Sequence, residues 1–211
     1  MIVIEELIKN KVLIVVRHLS LQETIDLCHI LVENEFRFVE VSFSEQKADE
    51  ILKELKKRFD QKICLGAGTI FQEDSYRRAL DCGADYVLSP GLSLKIAELS
   101  RKDVIPYIPG VFTPTDVQNA VEMGFDLLKL YPADLGLLRS YTGPFPKVKF
   151  MPFGGVTDQN IVSYLSSGAS AVGIGSYIAN KEILSNKDFA QLSKRVCRIK
   201  ELIGDIDGPV Y

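Results

Sequence analysis

Eight short aliphatic runs, each followed by a longer stretch of helical periodicity, limit the possible folds of this chain more than any other feature. The runs are VLIVV (Val12–Val16), FVEV (Phe38–Val41), ICLGA (Ile63–Ala67) and YVLS (Tyr86–Ser89), then IPYIP (Ile105–Pro109), LLKLY (Leu127–Tyr131), VKFMP (Val148–Pro152) and AVGIG (Ala171–Gly175). Their starts, at residues 12, 38, 63, 86, 105, 127, 148 and 171, are separated by 19 to 26 residues. A parallel crossover needs a dozen or more residues, usually a helix, so strands alternating with helices imply a parallel sheet. Eight such units close into a barrel. The expected fold is therefore α/β: a single-domain (β/α)8 TIM barrel over residues 1–211, with a short N-terminal helix at Ile2–Lys9 covering its lower end. At 211 residues it is shorter than the typical barrel of about 250, so its loops must be short. An open doubly wound sheet is the alternative. Its G-x-G-x-x-G fingerprint is absent after the first strand, where Val16 leads into Arg17-His18-Leu19-Ser20.

Helix signals fall between the runs. Ser20 and Glu23 form a capping-box pattern ahead of Leu21–Asn34. Ala48, Ile51, Leu52, Leu55 and Phe59 make one apolar face of Glu45–Phe59, with Lys53–Arg58 as its solvated side. Thr113-Pro114 supplies a cap and a first-turn proline before Val117–Met123. Asp158–Ser167 and Phe189–Ile203 complete the set.

Charge and cysteine usage narrow the function classes. The formal net charge is −3, so the basic excess of a nucleic-acid binder is missing. Cys28, Cys64, Cys82 and Cys197 form no C-x-x-C pair, and the histidines are only His18 and His29, so no metal is expected. Scattered cysteines read as small core residues of a reducing compartment. The N-terminal stretch is apolar but carries Glu5, Glu6, Lys9 and Lys11, unlike a signal peptide, and no run approaches a membrane span. The expectation is a cytoplasmic protein without membrane or nucleic-acid partners.

Active sites of such barrels lie at the C-terminal ends of the strands, so polar residues there are informative. Lys129 interrupts the sixth run and Glu40 the second. A buried lysine is disfavoured as ammonium, and the neutral amine is a nucleophile for carbonyls. The competing reading points Lys129 outward, its stem packed on a helix. A buried carboxylate suits general acid–base work, and its structural reading is an ion pair with Lys129 or Arg17. Gly154-Gly155 and Gly173-Ile174-Gly175-Ser176 end the last two strands, where backbone amides commonly bind phosphate; simple turn chemistry is the alternative. Thr69 places a hydroxyl at the mouth. Arg17 is either an anion ligand or loop surface, His18 polar surface, and His29 structural.

In order along the chain stand V-E-V-S around Glu40, G-A-G-T at Gly66–Thr69, S-P-G at Ser89–Gly91 and P-G-V-F-T-P at Pro109–Pro114. L-K-L-Y-P-A at Leu128–Ala133, P-F-G-G-V at Pro152–Val156 and G-I-G-S at Gly173–Ser176 follow. This series, from Val12 to Ser176, resembles the 2-keto-3-deoxy-6-phosphogluconate aldolases, also called 4-hydroxy-2-oxoglutarate aldolases. The resemblance implies a metal-free, cofactor-free class I aldolase, commonly a homotrimer. It would cleave a 2-keto-3-deoxy-6-phospho sugar acid to pyruvate and glyceraldehyde 3-phosphate. It implies Lys129 as the Schiff-base lysine and Glu40 as acid–base. Arg17, Thr69, Pro90 and Phe153 would contact the substrate, and Gly154, Gly155, Gly175 and Ser176 its phosphate.

Two positions depart from the family pattern. Many members carry V-T-L-R-T after the glutamate, with the arginine linked to the substrate carboxylate; V-S-F-S-E here puts Ser44 in its place. A carboxylate without that arginine loses a bidentate contact, which Arg17 or backbone amides would have to replace. The family's P-T-G-G threonine, where sugar hydroxyls are read, is Phe153. Two other functions compete. A phosphosugar epimerase or isomerase would share the phosphate glycines without needing an imine at Lys129. A non-catalytic sugar-phosphate sensor would need neither Lys129 nor Glu40.

Overall fold

The computed structural model describes residues 2–204; residues 205–211, the end of the expected domain, lie outside the described residues. Among the described residues there are nine parallel strands: β1 (Val12–Val16), β2 (Phe38–Ser42), β3 (Cys64–Gly68), β4 (Tyr86–Leu88), β5 (Tyr107–Ile108), β6 (Gly110–Val111), β7 (Leu127–Leu130), β8 (Lys149–Pro152) and β9 (Val172–Ile174). The expected fifth strand, Ile105–Pro109, is replaced by two short pieces. Pro109 separates β5 from β6; it has no N–H to donate, although its carbonyl still accepts from the Lys129 amide at 2.9 Å. Consequently β5-β4-β3-β2-β1-β9 form one six-stranded sheet and β6-β7-β8 a three-stranded one. Isolated parallel bridges, Phe150 to Ala169 and Phe153 to Gly173, link the β8 side to the β9 side. The architecture is a curled parallel α/β layer with helices outside.

Among the described residues, ten helices connect and flank the strands: α1 (Ile2–Asn10), α2 (Leu21–Glu33), α3 (Ala48–Phe59), α4 (Glu73–Asp81), α5 (Leu94–Asp103), α6 (Pro114–Glu122), α7 (Leu135–Thr142), α8 (Ile161–Ser166), α9 (Lys181–Ser185) and α10 (Phe189–Gly204). The capping boxes at Ser20/Glu23 and Thr113/Asp116 both form. α3 starts three residues later than its periodicity suggests, and α8 likewise starts late, after a turn. Helices α4, α5, α7 and α9 add to those expected from periodicity, and Ser93, Asp134 and Asn180 cap three of them by accepting backbone amide hydrogens.

Strand alternation separates two apolar layers. Val12, Ile14, Val39, Val41, Leu128 and Leu130 pack outward under the helices. Leu13, Phe38, Tyr86, Leu127 and Met151 pack inward, and Leu7 of α1 joins them, closing the lower end as expected. Successive strand residues face opposite sides, so Glu40 shares the face of Phe38 and Lys129 that of Leu127. Cysteines follow the expected core placement only in part: Cys28 and Cys82 are buried, Cys64 is half-buried and Cys197 is exposed. Cys197 lies on the solvent side of α10, where its thiol reaches the Asn34 side-chain oxygen at 3.3 Å.

Candidate active site

The inward face holds both interrupting charges. Lys129 is 7% exposed and Glu40 1%. That excludes the outward orientation for Lys129, whose Nζ lies 4.3 Å from the Phe153 ring centre and 5.4 Å from that of Tyr131. A cation over a ring face is attracted by its negative quadrupole face. Neither oxygen of Glu40 has a hydrogen-bond partner among the described residues. No ion pair joins Glu40 to Lys129 or Arg17 there, so the structural ion-pair reading of Glu40 fails. Burying a polar group without a hydrogen-bond partner costs free energy, so such groups mark candidate functional sites.

Glycines make this placement possible. A methyl group added at Gly68 would land on the Glu40 carboxylate, and one at Gly173 on the Phe153 ring. Gly66 makes room in the same way for Tyr86, whose hydroxyl donates to the Val39 carbonyl at 3.0 Å. Burial above all holds the Tyr86 phenol far above its ordinary range, so it serves as a neutral donor.

Arg17 and Thr69 are brought together. Arg17 Nε donates to Ser42 Oγ at 3.2 Å, and its Nη2 to Thr69 Oγ1 at 3.2 Å. The Ser42 and Thr69 hydroxyls are 3.0 Å apart, and Ser44 joins through Ser42 at 2.9 Å. Thr69 has φ +64°, a left-handed turn that ends β3. Pro90 is exposed just beyond β4, and its carbonyl occupies the space a side chain at Gly110 would need. Gly154 and Gly155 are exposed, with φ of 100° and 74°. The Phe153–Gly173 bridge sets them beside Gly175 and Ser176 at neighbouring strand ends. His18 is exposed and pairs with Glu45 at 2.9 Å; His29 is exposed and edge-on to Phe59.

Ser42 and Tyr131 were missed from the sequence. Ser42 follows Glu40 by two, and Tyr131 follows Lys129 by two, so strand alternation could have found both. A cavity of about 400 Å³ opens elsewhere, lined by Glu5, Arg101, Tyr107, Asp126 and Lys149 among others. It contains neither Glu40 nor Lys129, and its Asp126–Lys149 pair is satisfied at 3.3 Å. No group of three or more potential metal ligands occurs among the described residues. No described helix is long and apolar enough to cross a membrane.

Comparison with known proteins places this geometry among relatives. The family model for KDPG and KHG aldolases matches residues 3–195. A 2-dehydro-3-deoxy-phosphogluconate aldolase of Haemophilus influenzae is 26% identical over 205 residues, covering 95% of this chain and 96% of its own. The KHG/KDPG aldolase of Escherichia coli is 26% identical over 179 residues, covering 83% and 84%. Among solved structures, the KDPG aldolase of Legionella pneumophila, with pyruvate captured as a covalent carbinolamine, superposes with a TM-score of 0.81 at 28% identity. It covers 90% of this chain and 93% of that one.

Proposed function

This chain belongs to the KDPG and KHG aldolase family, and we propose that it is a class I aldolase that works through Lys129 and Glu40. The substrate is a 2-keto-3-deoxy-6-phospho sugar acid, cleaved to pyruvate and glyceraldehyde 3-phosphate. 4-Hydroxy-2-oxoglutarate, giving pyruvate and glyoxylate, is a second substrate. The observation that carries the reading is the burial of both charges on one inward face without a partner for the Glu40 carboxylate.

The chemistry follows from that face. The Lys129 amine adds to the C2 carbonyl, and loss of water leaves a protonated imine. Glu40 accepts the C4 hydroxyl proton. The C3–C4 bond breaks, the aldehyde departs, and the bonding pair enters the imine to give an enamine. C3 then takes a proton, and water releases pyruvate and the free amine. Positioning and one acid–base group are each capable of lowering the barrier by several kcal/mol. Thr69 faces the pyruvate unit, while Pro90 and Phe153 line the substrate. The amides of Gly154, Gly155 and Gly175, with the Ser176 hydroxyl, hold the phosphate.

Closure into a (β/α)8 barrel is part of this proposal, with β5 and β6 counted as one strand interrupted at Pro109 and the two bridges as the second seam. So are one domain over residues 1–211, a cytoplasmic setting and a homotrimer, the last resting on the resemblance alone and checked by a solution mass of three chains. An epimerase would leave Lys129 unexplained, and a sensor would leave both charges unexplained.

Borohydride reduction in the presence of pyruvate, followed by peptide mass mapping, tests the mechanism. A stable adduct on Lys129 is expected. A folded protein that forms no adduct would overturn the imine.

A further inference from the structure

We propose that Arg17, backed by the hydroxyls of Ser42, Ser44 and Thr69, is the group that holds the carboxylate of the 2-keto acid. This inference rests on the aldolase reading and assigns the anion end of its substrate. Arg17 follows Leu13 and Val15 in the inward alternation of β1 and therefore projects from the strand end on the same face as Glu40 and Lys129. Ser42 is on that face too, two residues beyond Glu40, about 7 Å further along the strand. The cluster thus lies one pleat above the acid–base group, at the mouth.

The guanidinium is anchored but not exhausted. Nε and one Nη2 hydrogen are engaged by Ser42 and Thr69. Three of its five N–H donors remain for a ligand, enough for a two-pronged contact with a carboxylate. The three hydroxyls fix the fork rather than neutralise it, since none carries a charge.

A second anion competes for Arg17. β1 is paired with β9 as well as β2, and Gly175 of the phosphate turn lies beside Val15, so an arginine at this strand end could turn toward either neighbour. Both engaged donors turn it toward β2 and β3, on the side away from Gly175. That direction decides for the carboxylate.

The test is borohydride trapping on Lys129 as a function of donor concentration, using pyruvate and its neutral analogue pyruvamide. In Arg17→Met the pyruvate concentration for half-maximal trapping should rise about tenfold to a hundredfold, the usual loss for a charge-assisted hydrogen-bond pair. The value for pyruvamide should change less than about twofold. Arg17→Lys should fall between, because a point charge lacks the fork. Equal losses for both donors, or unchanged pyruvate dependence with a raised KM for the phosphorylated aldehyde, would overturn the assignment and leave the aldolase intact. Absence of any adduct on the unaltered chain would instead overturn the aldolase reading, and the assignment with it.

Discussion

Beyond Glu40 the inner wall carries the hydroxyls of Ser42, Ser44 and Thr69, while around Lys129 it carries the rings of Tyr131 and Phe153. Each region holds one buried charge. Glu40 sits in a niche left by Gly68, beside an arginine–serine–threonine network that does not touch it. Lys129 lies between the Phe153 and Tyr131 rings, and Phe153 fits there because Gly173 has no side chain. The difference follows from charge. A ring face attracts a cation, so the faces of Phe153 and Tyr131 suit an ammonium at Lys129. On the Glu40 side the neighbours accept or donate hydrogen bonds among themselves and leave the carboxylate available. Glu40 and Lys129 are thus held by different means on one inward face, with no ion pair between them.

The largest expected effect removes the ring-lined wall's charge. Lys129→Met should lose more than about 10³-fold of turnover and all borohydride trapping while the circular dichroism spectrum is unchanged. Residual activity near the parent level would end the distinction between the walls. Glu40→Gln should slow both cleavage and deuterium exchange into the pyruvate methyl group by about 10²-fold or more. An unaltered exchange rate would take the acid–base role away from the hydroxyl-lined wall.

The glycine pair sharpens the contrast. Gly68→Ala and Gly173→Ala should each cost about 1–3 kcal/mol in urea denaturation, because both force a neighbour to move. Only Gly68→Ala should also cut turnover to the level of Glu40→Gln, since it displaces the base itself. Similar catalytic losses in both would mean that Phe153 matters as much as Glu40. At the turn proposed to hold the phosphate, Ser176→Asp should raise KM for a phosphorylated aldehyde by about tenfold through like-charge repulsion, sparing unphosphorylated aldehydes.

The smallest effect compares the helix caps beside the two walls. Partial burial pushes Asp116 upward, but hydrogen bonds from Thr113 and Phe112 outweigh it and hold its carboxyl below the usual range. Burial likewise opposes the hydrogen bonds from Ser185 and Ser20 that lower Glu23. A carboxyl lowered in the folded state stabilises above its unfolded range and loses that contribution as pH falls through the folded value. Thermal stability should therefore decline below about pH 4. Asp116→Asn and Glu23→Gln should each flatten that decline slightly in melts recorded from about pH 6 downward, to a similar degree.

Much of this was legible in the chain. The strand–helix rhythm, both capping boxes, the α1 helix and the family motifs needed no coordinates, because propensity, periodicity and capping are local. Lys129 and Glu40 stood out as charges inside apolar runs, yet which way Lys129 pointed did not. That depended on which face of β7 met the inner layer, a matter of register between strands distant in sequence. The break at Pro109 was visible as a residue but not as a sheet boundary. The failed ion pair, the Gly68 niche, the ring neighbours of Lys129 and the Arg17 network all join residues from different strands. Sequence determined the units and the chemistry they carry, because each unit is specified by neighbours along the chain. Tertiary structure alone decided which of those groups meet, because packing brings together side chains that local sequence cannot relate.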